Sequence, residues 1–129
     1  MCLTYTNELL NDNDIYAFYE TLGWNAFLKL SKEQLLAAMS QSFYVVYVYC
    51  GNALIASGRV ISDGVINGYL CGLGVLPDYR KRGIGGEIVE MLKEYCLEHN
   101  LHVQLLCDDD LVSYYSKMGF NKFTVGMKL

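Results

Sequence analysis

The chain has no run of apolar residues long enough to cross a bilayer. Its first residues, Met1-Cys2-Leu3-Thr4-Tyr5, lack the basic and apolar regions of a signal peptide. A cytoplasmic location without a membrane partner is therefore the expectation. Proline occurs once, and with 53% hydrophobic residues there is no room for a Pro-rich linker or a disordered tail. No internal repeat is present. Positive charge is in deficit: 10 Lys and Arg against 14 Asp and Glu leave a formal net charge of -4. That balance argues against a nucleic-acid partner, which needs a basic face, and mildly favours a cationic substrate. The 5 cysteines (Cys2, Cys50, Cys71, Cys96 and Cys107) include no C-x-x-C pair, so neither a metal site nor a disulfide framework is indicated. Buried free thiols are expected instead. At 129 residues the chain can bury one core, so residues 1–129 are expected to form a single domain.

What is present has a clear order. Asp12 or Asp14 can cap a helix with the apolar face Ile15, Phe18/Tyr19, Leu22, stopped by Gly23. Ser31-Lys32-Glu33-Gln34 is a capping box that opens a second helix over Leu35, Leu36 and Met39. Phe43–Cys50 is dense in β-branched and aromatic residues and reads as a strand. Turns at Gly51-Asn52 and Asp63-Gly64 join it to strands over Ala53–Ile61 and Val65–Leu76, an antiparallel meander. After Pro77 the apolar period becomes helical through Ile84, Ile88, Met91/Leu92 and Tyr95. Leu101–Cys107 is a further strand, parallel to the preceding one across a right-handed crossover. Asp108-Asp109-Asp110 can cap a last helix over Leu111–Met118, with Gly119 as its C′ residue. Phe120–Lys128 reads as a closing strand whose edge a neighbouring subunit could complete, as a homodimer. The fold class expected is α/β, an α+β mixed sheet with helices on its faces.

The stretch Leu76–Leu92, "LPDYRKRGIGGEIVEML", sets the cations Arg80, Lys81 and Arg82 directly before Gly83, Gly85 and Gly86. The first amides of a helix have no internal partner and carry the positive end of its dipole. Glycines there let a bulky anion approach the backbone, and phosphate suits such a place. The dinucleotide fingerprint fails because Ile88 stands at its third glycine, and the nucleoside-triphosphate loop fails because no Gly-Lys-Ser/Thr ends it.

The stretch resembles the R/Q-x-x-G-x-G/A motif of the GCN5-related N-acetyltransferases, with Arg80-x-x-Gly83-x-Gly85 preceded by Val75-Leu76-Pro77-Asp78-Tyr79. Ser113-Tyr114-Tyr115-Ser116-Lys117-Met118-Gly119-Phe120 is similar to that family's second hallmark. Phe18–Trp24, "FYETLGW", looks like the first helix of small bacterial members allied to aralkylamine acetyltransferases.

The resemblance implies an acetyl-CoA-dependent N-acetyltransferase that acts on a primary amine of a small molecule or peptide by direct attack. Backbone amides from Arg80 through Gly86 would hold the pyrophosphate. Leu73 and Val75 would pair with the pantetheine arm where two parallel strands splay. Tyr115 would return a proton to the leaving thiolate. Trp24, Phe27, Tyr16 and Tyr19 would wall the acceptor side. Relatives often carry an acid at the position that aligns with Gly72, so the base is left to a water route toward Asp108, Asp63 or a tyrosine. A coenzyme A-binding sensor without turnover is the alternative which that glycine leaves open. At Asp108 itself a base and a helix cap both stand as readings.

Overall fold

A computed structural model describes residues 2–129. Its elements run β1 (Leu3–Thr6), α1 (Asp14–Thr21), α2 (Trp24–Leu28), α3 (Lys32–Ser40), β2 (Tyr44–Cys50), β3 (Ala53–Ser62), β4 (Asn67–Val75), α4 (Ile84–Glu98), β5 (His102–Leu105) and α5 (Val112–Ser116). One sheet in the order β1-β2-β3-β4-β5 carries them, antiparallel up to β4 and parallel between β4 and β5. The mixed α/β class read from the sequence is the class observed.

The interior strand β2 is apolar at nearly every position because both of its faces are covered. Its side chains alternate: Val46 and Val48 pack toward Ile88 and Leu92 of α4, whereas Val45, Tyr47 and Tyr49 pack toward Ile15 and Phe18 of α1 and Leu35 of α3. The α4 side needs close approach at Gly58 of β3, where a Cβ would lie 2.8 Å from Ile88. On the other face the buried Tyr49 hydroxyl donates to Asp14 (2.7 Å) and accepts from the Leu10 amide (2.9 Å), tying the segment before α1 to the sheet. No helix among the described residues is long and apolar enough to cross a membrane.

Local signals act where the sequence places them. Ser31 accepts from the Gln34 amide while the Gln34 side chain accepts from the Ser31 amide, a complete capping box. Gly119, at φ 97°, ends the helical segment as expected: its amide bonds Ser116 and the Phe120 amide reaches Tyr115, which is the Schellman pattern.

Four readings are corrected. β1 was not anticipated: with 4 residues it has no periodicity to recognise, and it exists because β2 offers it an edge. The closing strand over Phe120–Lys128 is not formed. Phe123, Val125 and Met127 of that segment are largely exposed, so no burial offsets the cost of ordering it against the 4-residue β5. Neither Asp12 nor Asp14 caps α1: its N-cap is Asn13, and no side chain there accepts a capping bond. The cysteines are free, yet Cys2 and Cys107 are exposed rather than buried.

Candidate functional site

The sheet parts in its middle. β4 and β5 pair from Asn67↔His102 to Leu70↔Leu105 and no further, although β4 continues to Val75. The cause is local. Gly72 adopts φ +61° where the β3–β4 register shifts between Ser57 and Arg59, so β4 bulges and turns away from β5. Beyond the bulge, the Leu76 amide bonds Ile55 across β3 (2.8 Å). Strand alternation therefore turns the N–H group of Val75 toward the vacated side, with Leu73 next to it in the bulge.

At the far end of that open edge lies the loop after the 3-10 turn Pro77–Tyr79. Lys81 (φ 62°) and Gly83 (φ 80°) are both left-handed, and such alternation gathers consecutive N–H groups into a concave, positive surface. Among the described residues, the backbone amides of Lys81, Gly83, Ile84, Gly85 and Gly86 donate to no backbone or side-chain acceptor. The first contact within the helix is the Glu87 amide to Gly83 oxygen. A left-handed lysine costs of order 1 kcal/mol and persists only where its surroundings require it.

Arg80 folds back, its Nε donating to the Val75 carbonyl at 2.9 Å, so it braces the strand end. The Arg82 guanidinium stacks 5.7 Å from the Tyr79 ring centre. Gly83 has open space where a Cβ would stand, whereas Gly85 and Gly86 give room to the Tyr114 hydroxyl of α5, 3.5 and 3.6 Å from their would-be Cβ atoms. Those two glycines thus serve packing as well as backbone access.

A cavity of about 860 Å³ passes through the parted sheet. Val89 and Leu92 of α4 line one side, Tyr19, Trp24 and Met39 line the other, and Tyr115 stands at its edge beside Cys107 and Asp108. Tyr115 is half-buried, its ring edge-on to Tyr114 (5.0 Å between centres) and Phe120 (6.1 Å). Burial first, then the neighbouring Tyr114 and Cys107, hold its phenol above the ordinary tyrosine range. It remains a proton donor at neutral pH.

Of the four aromatics expected on the acceptor side, the structure brings two to the cavity. Tyr19 and Trp24 meet edge-on at 5.0 Å, and Trp24 covers Gly74 of β4. Phe27 is 81% exposed and Tyr16 packs at the margin of the α1–α3 core, so neither forms the wall. Asp63 lies in the β3–β4 hairpin, where its Oδ1 accepts from Val65 (2.9 Å) and Ile66 (2.7 Å); it builds a turn remote from the gap. Asp108 makes no side-chain cap and lines the cavity. A residue the sequence reading passed over is Arg59, in the cavity wall beside Gly72; its signal was a lone charge inside the apolar strand Ala53–Ser62. Among the described residues no cluster of three or more His, Cys, Asp or Glu could hold a metal ion.

Residues 6–120 match the model of the Acetyltransferase (GNAT) family. A histone acetyltransferase of Glycine max, TAP1, is 28% identical over 127 residues, 89% of this chain. The chain spans about half of that relative, 54% of its length. A GNAT-family acetyltransferase from Streptococcus pneumoniae superposes with a TM-score of 0.76 at 26% identity, covering 99% of this chain and 97% of that one. An acetyltransferase of Clostridium acetobutylicum solved with acetyl-CoA gives a TM-score of 0.71 at 17% identity, covering 99% and 96%.

Proposed function

Since the chain belongs to the acetyltransferase (GNAT) family, we propose that it transfers the acetyl group of acetyl-CoA directly to a primary amine of a small molecule or peptide. The observation that carries this reading is a continuous path. The unbonded amides of Lys81, Gly83, Ile84, Gly85 and Gly86 lead along the strand edge at Val75 and Leu73 to a gap in the sheet, and Tyr115 stands at its edge. These features fit the donor: the loop suits a diphosphate, and the strand edge suits an amide-bearing arm.

Acetyl-CoA supplies an activated thioester. In this reading the Val75 amide bonds the oxygen that gains negative charge as the amine attacks. As the new N–C bond forms and the C–S bond breaks, Tyr115 gives its proton to the departing sulfur. The amine must be neutral to attack. Gly72 offers no carboxylate, and the space beside it is filled by Arg59 and Tyr19, each 3.3 Å from a would-be Cβ. Asp108, on the cavity lining and free of capping duty, takes the ammonium proton in this reading.

Mass spectrometry of amine mixtures incubated with the protein and acetyl-CoA tests the transfer. Products heavier by one acetyl group are expected. Coenzyme A binding without any product would favour a sensor role instead. The raised Tyr115 pKa sets the alkaline behaviour, because the acid form is lost only as pH climbs through a value above the usual 10 or so. No loss of the acid form is therefore expected between about pH 7 and about pH 9, and a fall in turnover across that range that disappears in Tyr115→Phe would contradict the raised pKa.

A further inference from the structure

Arg59 is the guanidinium in the wall of the cavity, and it has no carboxylate partner among the described residues. Its Nη1 donates to the Ser42 hydroxyl at 3.2 Å, and that hydroxyl in turn donates to the Ala38 carbonyl at 2.7 Å. The first of these bonds holds one terminal nitrogen of the guanidinium. Its Nε is buried and has no hydrogen-bond partner. A shielded cation with an unpaired donor is costly unless something offsets it, and the end of α3 at Ser42 supplies only a fractional negative charge.

The groups around it do not supply the missing charge. Tyr19, Tyr47, Tyr69 and Cys71 face Arg59, and burial raises each of them, Tyr47 to about 12, although the guanidinium pulls them back. All four are neutral at pH 7. The other charges on the cavity lining, Asp108 and Lys128, are exposed.

We propose that the acceptor is an amine that also carries a carboxylate, which Arg59 binds while Tyr19 and Trp24 flank the portion between the two groups. This rests on the acetyl-transfer reading and deepens it. With Nη1 held by Ser42, Nε and the second terminal nitrogen form the remaining edge of the fork, and the Tyr19 hydroxyl beside Nε must move aside for a planar, two-oxygen acid to reach both. The net charge of -4 pointed mildly to a cationic substrate; within the cavity the unbalanced charge is positive.

The test is calorimetric titration of paired amines that differ only in a carboxylate, such as phenylalanine with phenylethylamine and β-alanine with ethylamine, with phosphoethanolamine as a further arm. Each is run with and without coenzyme A. At least one carboxylated member is expected to bind about tenfold more tightly than its twin. Arg59→Gln is expected to remove that preference and Arg59→Lys to retain part of it, since the charge stays while the fork is lost. The melting profile and the coenzyme A titration report whether each variant is folded. No preference in any pair, or a preference that survives Arg59→Gln in folded protein, would overturn the assignment. Tighter binding of phosphoethanolamine than of the carboxylates would overturn the choice of carboxylate. Failure of coenzyme A itself to bind would be a failure of the donor reading, visible in a separate titration.

Discussion

Tyr115→Phe is expected to lower turnover by about 100-fold or more, while coenzyme A affinity stays within about threefold of the parent. The substitution removes one oxygen and keeps the ring. The edge-on contacts with Tyr114 and Phe120 and the packing against the α4 side of the sheet are therefore retained. The hydroxyl makes no hydrogen bond among the described residues, so its loss leaves no buried partner unsatisfied. Its lost contribution is a proton for the leaving sulfur, and general acid catalysis is worth roughly 10²–10⁴ in rate. Steady-state kinetics with acetyl-CoA and any productive amine measures this. An unchanged kcat would remove Tyr115 from the reaction and pass the role to solvent or another group.

Gly83→Val is expected to weaken coenzyme A binding by about tenfold or more, and Gly83→Asn to weaken it much less. The reason is backbone geometry, because a Cβ at Gly83 would meet nothing within 4 Å. At φ 80° a β-branched residue is strained by roughly 1–2 kcal/mol, whereas asparagine tolerates the left-handed region. To escape the strain the chain must rotate at the point where α4 begins, and the amides of Ile84, Gly85 and Gly86 then no longer converge. Calorimetric titration of the two variants separates the causes. Equal losses for Val and Asn would mean that bulk, not conformation, matters there.

Legibility in the sequence followed length and periodicity. The α4 stripe was readable because Ile84, Ile88 and Leu92 recur at a helical spacing for more than two turns, facing one side of the sheet. The Ser31–Gln34 box and the Gly119 stop were readable because each is a local hydrogen-bonding device that needs no distant partner. β1 and the unformed strand after Phe120 failed for one shared reason. A short segment becomes a strand only if a neighbour offers an edge and a face to bury, and neither condition is written in the segment itself. Within the site, the glycine loop and Tyr115 were visible as motifs. Arg59 was not, since its importance depends on which side chains surround it once the fold sets it and Tyr19 beside Gly72. The bond from the Arg80 Nε to the Val75 carbonyl was hidden for the same reason, since it depends on how the loop folds back on β4.

The most direct measurement is an amide-resolved NMR titration of the protein with coenzyme A, followed at the glycine signals. The expected result is that the amides of Gly83, Gly85 and Gly86, together with Lys81, shift furthest downfield as they acquire an anionic acceptor, while Gly64 in the β3–β4 hairpin at the opposite end of the sheet stays in place. Unmoved loop amides at saturating coenzyme A, or shifts confined to another face of the sheet, would contradict the placement of the donor.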